Sequence, residues 1–146
     1  MTKDSRGSMV RSAAALIGSR GVSATSFSDV LADSGAPRGS IYHHFPDGKD
    51  QLVQDAVTWT SDRVLAYQRA NAGASATDVL ETFIGLWRQV VNSSGGASGC
   101  VVAGVAIDTD AREPGLIDVV RDTFRSWIAL LSEQLRAAGL RSERAT

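Results

Sequence analysis

The sequence predicts an all-α protein, and three observations support this. Apolar residues recur every three or four positions along most of the chain, which is the spacing of one buried helix face. Glycine and proline lie between these periodic segments, where helices end and begin. The segment CVVAGVAI (residues 100–107) has the β-branched content of a strand, but nothing nearby offers a pairing partner, so we interpret it as a buried helix.

Three short helices are predicted near the N-terminus. The first spans about residues 6–19 and ends at Gly21, a residue type that adopts a left-handed conformation at low cost. The second begins with an S-x-x-D pattern at Ser26 and Asp29, which is related to the capping box, and it ends at Gly35.

The third helix is expected to begin at Pro37, because the missing N–H of proline costs nothing at the first helical position. Phe45–Pro46 closes it after about two turns. The order of helix, glycine-containing turn and helix is the helix-turn-helix arrangement, whose second helix can enter the major groove of DNA.

The rest of the chain predicts a helical bundle. A long helix over residues 49–68 is followed by a break of small polar residues at 69–77 and then by a strongly apolar helix. Pro114 opens the last helix. We therefore predict a head of residues 1–48 and a helical ligand-binding and dimerisation domain of residues 49–146, which the long helix connects.

Composition and charge narrow the class of protein. The single cysteine, Cys100, excludes an intramolecular disulfide and a cysteine-rich zinc site. No apolar run approaches the ~18 residues of a membrane span, and no signal-peptide core is present, so we expect a cytoplasmic protein with no membrane partner. Residues 1–45 carry an excess of two positive charges, which permits an anionic partner there although the net charge is −1.

One segment resembles a known family. GVSATSFSDVLADSGAPRGSIYHHFPDGKDQLVQDAV (residues 21–57) resembles the DNA-binding head of TetR/AcrR-type transcriptional repressors. The marks are the G-x-x-A-T-S opening, the A-x-x-G turn, and G-S-I-Y-H-H-F followed by G-K-x-x-L. The variant GAPRGSIYHHFPDGKDQL, with SGCVVAGVAID later, looks closest to the LmrA/YxaF-like branch. The resemblance is strong over residues 6–57 and loose over 58–140.

The first turn of the third helix is the expected site of base contacts. Arg38, Gly39 and Ser40 can approach base edges there, and an arginine that bonds guanine O6 and N7 contributes ~1–3 kcal/mol of discrimination. Gly39 leaves room for close approach of the backbone. In the family, Pro37 is often a serine that caps this helix, so a phosphate contact from that position is in doubt here.

The flanking phosphates are the expected partners of other side chains. Tyr42, His43 and Lys49 would face them, and such contacts position a protein without reading sequence. The resemblance implies the same role for Thr25 and Ser26 at the start of the second helix. It also implies a ligand cavity inside the C-terminal bundle.

Four aromatic residues are the candidates for lining that cavity, and they are Phe83, Trp87, Phe124 and Trp127. Aromatic walls suit flat apolar molecules. The alternative is that these residues are ordinary core, since aromatic residues at helical spacing are core in most proteins.

Other candidate sites are weaker. A metal site at His43 and His44 is disfavoured, because adjacent helical residues diverge and no cysteine or glutamate stands at ligand spacing. Residues 93–99 are glycine-rich but lack the G-K-[ST] of a phosphate loop. Cys100 fits a small core residue better than a redox sensor. We therefore predict no metal, no cofactor and no catalytic residue.

The resemblance implies a ligand-responsive repressor that binds a palindromic DNA operator as a homodimer and is released by a small apolar molecule. Family members usually have two further helices after the one ending near Leu140, and those helices pair two subunits. Either this sequence is truncated or its dimer interface is built differently. Two rival classes stay open: a small enzyme, for which no catalytic set can be assembled, and a truncated regulator or helical interaction module that acts by pairing with a partner.

Overall fold

The computed structural model of the protein describes residues 4–109 and 114–141, and all regular structure in these ranges is helical. The helices are α1 (Ser5–Arg20), α2 (Phe27–Ser34), α3 (Ser40–His44), α4 (Lys49–Asn71), α5 (Ala76–Ser93), α6 (Val101–Asp108) and α7 (Pro114–Ala137). The all-α prediction is confirmed, and so is the helical interpretation of residues 100–107. The outer ends of the two predicted domains, residues 1–3 and 142–146, lie outside the described ranges.

Local sequence explains where α2 and α5 begin. The Ser26 hydroxyl accepts a hydrogen bond from the Asp29 N–H (3.2 Å), and the Asp29 carboxylate accepts one from the Ser26 N–H (2.8 Å). Ser75 and Asp78 form the same reciprocal pair at 3.1 Å in both directions. Each pair satisfies two N–H groups that a helix start leaves without partners, so both predicted capping patterns are confirmed as capping boxes.

Two predicted boundaries are wrong. Helix α3 begins at Ser40 and has five residues, because the Pro37 carbonyl accepts the Ser40 N–H (2.9 Å) in a turn that precedes the helix. Pro37 therefore lies outside α3. Helix α4 continues to Asn71, so the break before α5 covers residues 72–75 rather than 69–77.

The predicted head and bundle share one continuous core. Helix α4 packs against both α1 and α7, and α6 fills the space among these three helices. The buried residues of this core come from six of the described helices or the residues next to them, and they include Met9, Ile17, Val30, Ile41, Phe45, Val57, Val102 and Trp127. A rearrangement in the bundle therefore has a packed route to the head.

Two helices expose part of their apolar stripes among the described residues. On α5 and α7 the exposed large apolar side chains are Leu80, Ile84, Val91, Ile117 and Ile128. Periodicity in the sequence shows that these helix faces are apolar, but it does not show what covers them. No helix in the described ranges is long and apolar enough to cross a bilayer.

Candidate DNA-binding surface and ligand pocket

The turn between α2 and α3 sets the direction of the third helix. Gly35 ends α2 in the left-handed conformation (φ 66°), and its N–H donates to the Leu31 carbonyl at 3.0 Å. The Pro37 carbonyl then accepts both the N–H and the hydroxyl of Ser40, at 2.9 and 2.6 Å. The Pro37 carbonyl thus holds the turn that leads into α3, and no side chain caps the start of this helix.

Helix α3 has one packed face and one exposed face. Ile41 and Phe45 are 0% exposed and lie in the core, whereas Tyr42 is 70% exposed. Arg38, Gly39 and His43 are also exposed. The Tyr42 ring packs edge-on against Phe27 of α2, with ring centroids 5.7 Å apart, which holds the two helices of the motif together. The predicted contact residues Arg38, Gly39, Tyr42 and His43 are therefore accessible, whereas Ser40 is half-buried and its hydroxyl donates to the Pro37 carbonyl.

Gly39 is exposed, and no contact among the described residues explains why this position is a glycine. Its φ of −69° is accessible to any residue, and a Cβ atom built on it would meet nothing within 4 Å. Neither conformation nor internal packing requires glycine at this position. The space in front of it is available to a partner that approaches the backbone closely.

Thr25 and Ser26, both predicted to lie at phosphates, differ in placement. Thr25 is only 4% exposed, its hydroxyl donates to the Gly21 carbonyl (2.8 Å), and its N–H donates to the Val22 carbonyl (3.1 Å). Both donors are used inside the protein, so Thr25 holds the turn before α2. Ser26 is exposed, but its hydroxyl donates to the Asp29 carboxylate at 2.6 Å.

The turn between α1 and α2 is held from two distant parts of the chain. The Lys49 ammonium, at the first residue of α4, donates to the Val22 carbonyl at 2.7 Å. The Asp108 carboxylate, at the last residue of α6, accepts the N–H of Val22 at 2.7 Å. An ammonium has three donors, so Lys49 keeps others for the predicted phosphate contact. Asp108 was not predicted, because its partner lies 86 residues away in the sequence.

The four predicted pocket residues come together between α5, α6 and α7. Their ring centroids are 5.5–6.2 Å apart, and the Trp127 ring contacts each of the other three. They line an open cavity of about 390 Å³ together with Cys100, Ala103, Ile128 and Leu131. This volume lies in the range of small-molecule sites, about 300–1,000 Å³. The aromatic pocket, as this cavity is called below, therefore has the size and lining expected for a flat apolar ligand.

Cys100 is the residue that immediately precedes α6, and its thiol favours the neutral form. Burial raises the pKa of the Cys100 thiol, and the backbone N–H groups of Ala103 and Val102 only partly oppose this effect. Its sulfur accepts the Ala103 N–H at 3.5 Å and so caps the start of α6. A raised pKa is the opposite of what a redox-sensing thiolate needs.

Known proteins provide the family assignment. The model for bacterial regulatory proteins of the tetR family matches residues 10–56, and the model for the C-terminal domain of LmrA/YxaF-like transcriptional regulators matches residues 76–146. Over 142 residues the chain is 37% identical to an HTH-type transcriptional regulator of Mycobacterium tuberculosis, covering 94% of this chain and 72% of that protein. The chain belongs to the TetR family of transcriptional regulators.

Other TetR-family matches agree with the LmrA/YxaF-like assignment. The HTH-type regulator YxaF of Bacillus subtilis is 31% identical over 97% of this chain and 75% of its own length. The crystal structure of a TetR regulator from Legionella pneumophila superposes with a TM-score of 0.84 at 23% identity, covering 99% of this chain and 79% of that one, which shows the fold. The protein is a DNA-binding transcriptional regulator whose head carries the helix-turn-helix of α2 and α3.

Proposed function

We propose that this TetR-family protein is a repressor that binds a palindromic operator as a homodimer and leaves it when a small apolar molecule enters the aromatic pocket. Residues 1–48 form the reading head in this proposal, and residues 49–146 bind the ligand and the second subunit. Arg38, Gly39 and Ser40 read bases, while Tyr42, His43, Lys49 and Ser26 lie at phosphates.

The observation that carries the ligand response is the position of α6. Cys100 and Ala103 at the start of this helix line the aromatic pocket, and Asp108 at its end bonds the turn between α1 and α2. One rigid element of eight residues therefore touches both the ligand site and the head. A ligand that favours a displaced α6 by a hundredfold supplies ~2.7 kcal/mol of coupling.

Dimerisation is part of the proposal because one short α3 contacts few bases. Two heads on half-sites about one helical turn (~34 Å) apart give the contact needed for specific binding. The exposed apolar side chains of α5 and α7 offer a surface that a second copy can bury. Sedimentation at micromolar protein, with and without operator, tests this step, and a monomer on the operator contradicts it.

Selection of bound duplexes from a random pool tests DNA recognition. We expect a two-fold symmetric sequence, and log K for that sequence should fall linearly with log salt because phosphate contacts release counterions. Arg38→Ala should relax the base preference with little change in the salt slope, whereas Lys49→Ala should reduce the slope. Absent or salt-independent binding favours the rival interaction module.

The single cysteine allows a direct test of the ligand response. Reaction of the Cys100 thiol with N-phenylmaleimide at about pH 7.5, where maleimides react with thiols in preference to amines, attaches a phenyl ring at the aromatic pocket, because the chain has a single cysteine. We expect the modified protein to bind the selected operator at least tenfold more weakly in fluorescence anisotropy. Cys100→Ser, treated in the same way, controls for the reagent. Unchanged affinity of a folded, modified protein contradicts release through this pocket.

A further inference from the structure

A second cavity lies between α1, α4 and α5, apart from the aromatic pocket. It measures about 340 Å³, and its walls include Ala14 and Ala15 of α1, Trp59 and Tyr67 of α4, and Trp87 of α5. Among the described lining residues, Trp87 alone is shared with the aromatic pocket. The two cavities therefore share one indole wall, and their other described lining residues differ.

Two arginines distinguish this cavity from the aromatic pocket. Arg11 of α1 and Arg63 of α4 both line it, and no carboxylate is among its described lining residues. The Arg63 guanidinium lies 4.9 Å from the centroid of the Trp59 ring, and the Arg11 guanidinium donates to the Ser8 hydroxyl at 3.1 Å. Stacking on an indole holds a guanidinium without using its N–H donors.

These arginines also lack counter-ions in the part of the chain that the structure describes. Four other arginines are paired with aspartates, namely Arg6, Arg20, Arg121 and Arg125. Neither Arg11 nor Arg63 forms such a pair with a described residue. Two unneutralised cations beside an apolar, aromatic cavity are complementary to a ligand that carries a negative charge on an aromatic body.

We propose that this cavity is a second ligand site, specific for aromatic carboxylates. The ring system packs between Trp59, Tyr67 and Trp87, and the carboxylate takes guanidinium N–H donors of Arg63 and Arg11. An arginine binds a carboxylate through two parallel hydrogen bonds, which a neutral amide of the same shape cannot reproduce. The site joins α1 of the head to α4 and α5 of the bundle, so its ligand contacts both parts of the molecule.

A matched pair of probes tests the charge preference. The full chain is titrated calorimetrically with 2-naphthoate and with 2-naphthamide, which share ring system and size and differ in charge. We expect 2-naphthoate to bind at least tenfold more tightly. Equal affinities, or no binding of either probe, overturn the proposal.

Two variants with the same net charge test the role of the arginines. Arg11→Gln combined with Arg63→Gln should bring the two probes to within about twofold of each other. Arg69→Gln combined with Arg88→Gln removes two exposed arginines that do not line the cavity and should keep the preference for 2-naphthoate. If both double variants lose the preference for 2-naphthoate to a similar extent, net charge alone explains the preference, and the proposed site is contradicted.

A third comparison locates the probe. Ala103→Phe fills the aromatic pocket and should leave 2-naphthoate binding unchanged, whereas Ala15→Trp fills the second cavity and should abolish it. The reverse pattern assigns the probe to the aromatic pocket and overturns the proposal. No DNA is present in these titrations, so their outcome is independent of the repressor proposal.

Discussion

At the scale of single residues, the surface around α3 combines exposed side chains with neighbours whose polar groups are bonded inside the protein. The pattern around Arg38 and Tyr42 predicted an accessible face, and the structure exposes both residues. Thr25 is different, because its position in the motif does not reveal that its hydroxyl donates to the Gly21 carbonyl. Hydrogen-bond partners across a turn depend on backbone geometry that a pattern of residue types does not specify.

Gly39→Ala separates folding from DNA binding. The added methyl group meets nothing within 4 Å, and the backbone φ of −69° suits alanine, so thermal stability should be unchanged or slightly higher. Operator affinity measured by anisotropy should fall at least tenfold, because the methyl group occupies the space where DNA approaches. Gly85→Ala in the interior of α5, also free of contacts within 4 Å, should leave operator affinity unchanged and raise thermal stability, because alanine favours a helix more than glycine does. Unchanged affinity of Gly39→Ala argues against close approach at this position.

Ser61→Ala tests the polar support of the aromatic pocket. The indole N–H of Trp127 donates to the Ser61 hydroxyl at 3.2 Å, and both residues are buried. Removal of this acceptor leaves a buried donor without a partner, which costs about 1–3 kcal/mol. The urea midpoint should fall at constant m-value. Ser126→Ala, at an exposed hydroxyl of α7, should change the free energy of unfolding by no more than about 0.5 kcal/mol. A Ser61→Ala midpoint equal to wild type contradicts this role.

At the scale of helices, patterns within a few residues predicted local structure correctly, whereas packing between distant residues was not predicted. The capping boxes at Ser26 and Ser75 involve residues three positions apart, so the sequence alone predicts them. The apolar stripe of α5 follows from the sequence but its partial exposure does not, because periodicity shows that a face is apolar and not what covers it. The start of α3 was misplaced for a related reason, since the Pro37 carbonyl rather than its ring begins the turn.

The capping box of α2 should make stability depend on pH. Hydrogen bonds from the Ser26 hydroxyl and N–H, with a smaller effect of Arg20, lower the pKa of Asp29 in the folded state. The folded state thus favours the charged carboxylate, and this stabilisation is present above the unfolded pKa of about 3.9 and is lost as the pH falls through the folded value.

Asp29→Asn removes this titration. The melting temperatures of wild type and variant should differ most at neutral pH, and this difference should shrink as the pH falls below about 4. Asp78 has the same kind of capping pair in α5, and its pKa is also lowered, mainly by the Ser75 hydroxyl. The double variant should therefore lose more of the acid dependence than either single variant. If the difference in melting temperature between wild type and Asp29→Asn stays constant from pH 7 to pH 3, this role of the Asp29 titration is contradicted.

At the scale of the whole molecule, the contacts that join the head to the bundle could not be predicted from the sequence. The motif predicted the head, and helical periodicity predicted the bundle. The bond between Asp108 and Val22 spans 86 residues, and the second cavity combines residues of α1, α4 and α5. Such contacts depend on how the helices cross, and residue patterns in a single sequence do not determine this. They are nonetheless the contacts through which ligand and DNA sites communicate in the proposed repressor.

Asp108→Ala is the sharpest test of that communication. The variant loses the acceptor of the Val22 N–H, so a displacement of α6 no longer pulls on the turn before α2. Operator affinity of the unmodified variant should stay within a few-fold of wild type, because α3 and its packing are untouched. The loss of affinity on attachment of N-phenylmaleimide to Cys100 should drop from at least tenfold to about twofold. Asp108→Asn keeps an acceptor oxygen and should restore most of the response. If Asp108→Ala responds as wild type does, the signal reaches the head through the shared core instead, and α4 becomes the element that carries it.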